Sequence, residues 1–294
     1  MIRPRPALLG TLAVAALTPL AACSAAPHPG DRTAIVASTS AWGDLARHVT
    51  EGTDAEVTSI ITGDVTDPHH FSPSAADMAR AHRASFVVVG GGGYDAWLYE
   101  GLEDSQIVHA LPLTAHSHDH GHGHDHEHSA GEDRADAPLN EHVWFDVDAL
   151  AAVAGEIEER VPGASAEAVR GELAALKERL GALPPARVAQ TEPVADYLVE
   201  DSPLSEVTPE GYRRATLSEG EPSAADLAAF LELINSEGID VLIYNPQTAT
   251  DTTRRLERAA RDNGITVVEV GETPAEGQDV IEYLTHVIHD FELI

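Results

Sequence analysis

Five short stretches carry side chains that could do chemistry. "TDPHHFSPS" (66–74) sets His69 and His70 side by side just after an apolar run. "NEHVWFD" (140–146) brings Glu141 and His142. "AQTEP" (189–193) offers Glu192 and "GETP" (271–274) offers Glu272, each again just past an apolar run, as is "YNPQT" (244–248). Neutral imidazole nitrogen and carboxylate oxygen are the donors that hold first-row divalent cations. Imidazoles from the front half and carboxylates from the back half therefore make a metal-ligand set if the chain brings them together. Taken singly each has an ordinary use. A loop histidine commonly faces water, and a Glu before Pro commonly opens a helix, where the dipole favours it. Their shared position groups them.

That position depends on the elements around them. Strand-like runs at 33–39, 56–62, 85–93 (the last part of this one a glycine turn) and 106–113, then at 187–191, 239–244 and 265–270, alternate with helical patterns such as "PSAADMARAHRA" and "TDTTRRLERAARDNG". Such alternation predicts βαβ units and parallel sheets, whose ligands bind beyond the carboxyl ends of the strands. Val169, Leu173, Leu176, Leu180 and Leu183 recur at spacings of four and three, the stripe of an amphipathic helix. The expected fold is α/β: two lobes (32–160 and 186–294), each a mainly parallel sheet flanked by helices, joined by a long rigid helix at 164–184.

Composition bounds the partners. Lys+Arg of 18 against Asp+Glu of 49 leaves a formal net charge of −31 in 294 residues, so a polyanion such as nucleic acid is repelled. Residues 1–22, with Arg3 and Arg5 before "ALLGTLAVAALTPL", read as an export signal. It ends in "LAAC", which resembles a bacterial lipobox, so Cys23, the sole cysteine, is the expected lipidation site. Residues 23–31 then form a tether, and the mature protein is expected outside the cytoplasm, lipid-anchored to the outer face of the cell membrane. "HSHDHGHGHDHEH" supplies His116, His118, His120, His122, His124, His126 and His128 within an insertion, 115–138, that cannot build a core and is expected to be disordered without metal.

Several motifs occur in the order found in one family. "DPHHFSPSAADMARAHRASFVVV", "GGGYDAWL", "EHVWFD" and "TEPVADYL" resemble the signatures of the cluster A-I, or zinc/manganese, solute-binding lipoproteins of bacterial ABC importers. "EPSAADLAAF", "YNPQT" and "ETP" are similar to a branch of that family whose third ligand is Glu. The resemblance implies metal ligands at His69, His142, Glu192 and Glu272, with His70 in a non-ligand position. It implies a monomer that delivers its ion to an ABC permease and that permease's ATPase, with small hinge motion. Asp146, four residues after His142, is a candidate acceptor for that imidazole.

The metal is expected to be Zn²⁺, with Mn²⁺ as the alternative. Two carboxylates offer the hard oxygen that suits manganese, whereas the His-rich loop, an auxiliary metal-binding tract, favours zinc. A surface zinc chaperone or adhesin without an importer is a second alternative. An enzyme is not expected, because no H-E-x-x-H, G-x-S-x-G or G-x-x-x-x-G-K-[ST] element is present.

Overall fold

Phe86–Val89 and Val241–Tyr244 are unbroken apolar runs, and all their residues are buried. Strands covered on both faces read this way. The computed structural model that carries them describes residues 32–63, 71–113, 139–218 and 220–294. The expected signal and tether with Cys23, the His69–His70 loop and the tract His116 to His128 lie outside these described residues.

Each run is an inner strand of a four-stranded parallel sheet. The first sheet comprises β1 (Ala34–Thr39), β2 (Glu56–Ile61), β3 (Phe86–Val89) and β4 (Ile107–His109), in the order β2-β1-β3-β4. Ala34 pairs with Glu56 on one side of β1, and Ile35 pairs with Phe86 on the other. The second comprises β5 (Arg187–Gln190), β6 (Ser205–Glu206), β7 (Val241–Tyr244) and β8 (Thr266–Glu269), ordered β6-β5-β7-β8. The two orders match, so each sheet reverses direction of winding at one place, between β1 and β3 or between β5 and β7. Crevices at such switch points are where open α/β sheets take ligands.

The helices start where their sequences can close them. Helices α1 (Ser40–Val49), α2 (Ala75–Ala81) and α3 (Ala96–Tyr99) belong to the first sheet, with α4 (Val147–Arg160) following it. Then come α5 (Glu167–Gly181), α6 (Asp196–Glu200), α7 (Glu210–Leu217), α8 (Ala224–Asn235), α9 (Asp251–Asp262) and α10 (Val280–Glu292). The pentapeptide Pro-Ser-Ala-Ala-Asp occurs at 73–77 and again at 222–226. In both places the serine and the aspartate three residues on form a reciprocal capping box, opening α2 and α8.

The stripe on α5 is buried as its spacing requires: Val169, Leu173, Leu176 and Leu180 face inward against α4 and α10. Each buried leucine contributes about 1.5–3 kcal/mol. A single apolar core runs from Ile35 and Val88 of the first sheet, through Trp144, Leu150 and Leu173, to Val188, Ile243 and Phe291 of the second half. Smaller cores cover the outer faces, around Val87 and Tyr99 on one sheet and around Leu242 and Phe230 on the other. Strand β6 and helix α7 were not expected. A two-residue strand and a helix whose buried residue is Tyr212 leave no apolar run to read. Among the described residues no helix is long and apolar enough to cross a membrane.

Candidate metal centre

His142 closes the chain onto a short 3-10 turn, Val143–Phe145, whose three residues are buried. The preceding Asn140 fixes the imidazole. Its Oδ1 accepts from the His142 backbone N–H at 3.0 Å and lies 2.7 Å from Nδ1. Its Nδ2 donates to the Pro193 carbonyl at 2.7 Å and to Asp196 Oδ2 at 2.8 Å, so the amide cannot be the other way round. Asp196 is itself anchored by Arg213, which reaches both carboxylate oxygens, and by Gln190 Nε2 at 2.6 Å. This network places a proton on Nδ1 and turns Nε2 toward Glu272 Oε2, 3.4 Å away. Asp146 does not take the role expected of it. Its carboxylate caps α4, accepting from the N–H groups of Asp148 and Ala149, and Asn140 stands at Nδ1 instead.

Glu272 follows β8 and is buried, 1% exposed. Its backbone N–H donates to Gln247 Oε1 at 2.9 Å, its Oε1 accepts from Asn245 Nδ2 at 2.7 Å, and Tyr94 Oη is 3.5 Å from its Oε2. Tyr94 is placed by the glycine turn after β3. Gly91 and Gly92 have φ of 87° and 62°, and a Cβ on Gly91 would sit 2.2 Å from the Leu111 carbonyl oxygen. The fully buried Asp95 holds that turn. It accepts from Gly90 N at 2.7 Å, Gly91 N at 3.1 Å and Ser38 Oγ at 2.6 Å. Burial nevertheless pushes its carboxyl up to about 6. Glu141 accepts from Gly93 N and so ties the turn to the residue beside His142.

Glu192 leaves β5 in extended conformation ahead of Pro193, as a residue before proline must. Both hydrogen bonds it receives fall on Oε2, from Asn245 Nδ2 at 2.7 Å and from Thr248 Oγ1. Burial raises its pKa and the neighbouring Glu272 charge adds to this, against the two hydrogen bonds. One amide thus joins two carboxylates at the β5/β7 switch point. A cavity of about 640 Å³ opens beside them, walled by His142, Glu192, Tyr212 and Thr248 among others. No Lys or Arg is present among the described residues that line it.

The structure therefore brings His142 and Glu272 into contact and sets Glu192 one amide away. Among the described residues no group of three or more His, Cys, Asp or Glu stands at metal-ligand spacing. His69 lies outside the described residues; the chain leaves them at Gly63, whose carbonyl accepts from Thr273 Oγ1 at 2.8 Å, next to Glu272. The sequence did not single out Asn140, Asn245 or Tyr94. The signals that could have found the first two are an Asn two residues before a candidate histidine and an Asn that directly follows a buried strand.

A profile of the family described as ZnuA, zinc-uptake complex component A periplasmic, matches residues 35–293. Among curated proteins there is no match. Solved structures resemble the chain in fold. The periplasmic zinc binding protein TroA from Treponema pallidum aligns with a TM-score of 0.65 at 15% identity, over 89% of this chain and 98% of that one. The laminin binding protein Lmb of Streptococcus agalactiae, described as a bifunctional protein with adhesin and metal transporting activity, gives 0.62 at 17% identity, over 89% and 97%. FpvC from Pseudomonas aeruginosa, solved with Mn²⁺, gives 0.59 at 17% identity, over 89% and 96%.

Proposed function

The chain belongs to the ZnuA family of periplasmic zinc-uptake components, and from that premise we propose that it captures Zn²⁺ as cargo and delivers it to an ABC permease driven by an ATPase. The family is one of metal-binding transport components and not of enzymes. The ligands in this reading are His142, Glu192 and Glu272 together with His69. The observation that carries it is the oriented imidazole: Nδ1 is held by Asn140, and Nε2 meets Glu272 Oε2 at 3.4 Å in a buried pocket. A histidine ligand is ordinarily prepared in this manner, its far nitrogen fixed by an acceptor so that the near one is aimed at the cation.

Capture requires each ligand in its basic form. Protonating an imidazole removes a donor, so binding a cation releases protons. The raised pKa of Glu192 means that an incoming cation also competes with a proton there. Manganese is the alternative cargo, supported by the two carboxylates. The His-rich tract, His116 to His128, favours zinc. Lipidation at Cys23 would keep the protein at the outer face of the membrane beside its permease, working as a monomer.

The test is metal analysis of the chain lacking residues 1–22, with Zn²⁺ and Mn²⁺ in competition, with and without residues 116–128. One tight equivalent is expected to survive deletion of the His-rich tract and to be lost in His142→Ala. Tight binding that vanishes with the tract, or persists without His142, would refute the assignment.

A further inference from the structure

Asn245 is 1% exposed and stands directly after β7, between the two carboxylates. Its Nδ2 gives one hydrogen to Glu192 Oε2 and the other to Glu272 Oε1, both at 2.7 Å. The amide is not free to turn over. Its Oδ1 accepts from the Gln247 backbone N–H at 3.0 Å, and its own backbone N–H donates to Thr191 Oγ1 at 3.2 Å. Gln247 carries the clamp further, accepting at Oε1 from the backbone N–H of Glu272 and of Thr273. Thr248 adds a second donor, again to Oε2 of Glu192.

These bonds divide the carboxylate oxygens into two kinds. Oε1 of Glu272 is committed to Asn245 at 2.7 Å, while Oε2 faces His142 Nε2 at 3.4 Å and meets Tyr94 Oη only at 3.5 Å. Oε2 of Glu192 is committed to Asn245 and Thr248, and among the described residues both of these bonds leave Oε1 to the open side of the carboxylate. A free carboxylate can approach a cation through both oxygens, which raises coordination number and suits Mn²⁺. A hydrogen bond that holds one oxygen favours approach of the cation through the other, the single-oxygen mode that suits four-coordinate Zn²⁺.

We propose that Asn245 is the residue that sets metal choice: by holding one oxygen of Glu192 and one of Glu272, it makes both acids single-oxygen ligands and biases the site toward zinc over manganese. This rests on the metal-capture reading above. Asn245 acts through the two acids as a positioning residue and touches no cargo in this account. Its neutrality matters as well, since it brings two acids together without contributing a charge that would repel the cation.

The experiment measures Zn²⁺ and Mn²⁺ affinities by competition on the full-length chain and counts ligands on each bound metal by X-ray absorption. In Asn245→Ala, the zinc-to-manganese affinity ratio is expected to fall about tenfold or more, the usual scale of a lost supporting contact. The ligand count on the bound metal is expected to rise from about four toward five or six. Asn245→Ser, which has a single hydroxyl hydrogen to give, should fall between the two and covers the case of an alanine variant that does not fold. Thr248→Val removes a donor from Glu192 while leaving the tether on Glu272, and should shift the ratio less. A ratio and ligand count that stay at parental values in the folded serine variant, with metal still bound, overturn the proposal alone. Failure of the parent chain to hold a metal that depends on His142 and Glu272 overturns the capture reading together with it.

Discussion

Removing the Asn140 side chain should separate metal affinity from stability. Asn140→Ala deletes four hydrogen bonds: two accepted by Oδ1 from His142, and two given by Nδ2 to Pro193 and Asp196. At about 1 kcal/mol net for each, the ceiling on lost stability is roughly 4 kcal/mol. Water reaches this half-buried position, and Asp196 keeps Arg213 and Gln190, so about 2 kcal/mol is the working figure. The effect on metal is a different quantity. With Nδ1 released, His142 can change tautomer and turn, and loss of such a supporting acceptor costs about 10–100-fold in affinity, or roughly 1.4–2.7 kcal/mol. The assay is thermal melting of the metal-free and Zn²⁺-loaded protein together with competitive titration. The metal-induced gain in stability should shrink by about the free energy of the affinity loss, beyond the drop seen without metal. Asn140→Asp should be worse for the apo protein, because it sets a carboxylate against Asp196 at a contact now 2.8 Å long. If Asn140→Ala lowers the apo melting temperature yet leaves zinc affinity at the parental value, orientation of His142 through Nδ1 is not how the site works.

Two further outcomes are expected. Glu272→Gln takes one charge from a buried pair of acids, so the apo protein should melt at the same temperature or higher while zinc affinity falls by at least tenfold; a lower apo melting temperature with retained affinity would contradict this. Burial holds the Asp95 carboxyl at about 6 against an ordinary 3.8, so its folded form prefers the proton; the stabilisation is complete below about pH 4 and lost as pH rises to about 6, at most roughly 3 kcal/mol. Urea titrations of the parent and Asp95→Asn across pH 4–7 should show a flatter profile in the variant, and parallel profiles would remove Asp95 as the cause.

How much of this could be read beforehand follows from which interactions are local. The α5 stripe was legible because Val169, Leu173, Leu176 and Leu180 follow the helical period in a helix that meets the core along its whole length. Glu192 and Glu272 could be grouped because each follows a parallel strand and the carboxyl ends of such strands collect on one side of a sheet, whereas His142, which opens a 3-10 turn, was grouped by its motif. Asn140 and Asn245 could not, because an amide that bridges side chains from separate strands leaves no periodic trace. Asp146 misled for a related reason. A carboxylate four residues from a histidine can serve the imidazole or the next helix, and here the two unpaired N–H groups at the start of α4 took it. The Asp95 clasp on the Gly90–Gly91 turn was hidden likewise, since nothing in a run of glycines says which acid will satisfy their N–H groups.

The continuity of the core limits how such a site can work. Opening the two halves wide would pull Trp144, Leu173, Leu176 and Phe291 away from partners they share across one apolar cluster. Re-exposing side chains of this size costs about 1.5–3 kcal/mol each. A swing that bared even these four would therefore cost roughly 6–12 kcal/mol, comparable to the whole stability of an ordinary domain. For the proposed capture, exchange by wide opening is thus disfavoured against exchange by local movement of described segments that end the strands. The hydrogen bonds there can break one at a time. Gly63 is held to Thr273 by a single hydroxyl and Glu192 by two neutral donors, each worth about 1 kcal/mol net. In the proposed capture, such a site would keep its carboxylates and imidazole in place on the core, and the cation would supply the positive charge that their neutral donors, Asn245, Thr248 and Tyr94, do not.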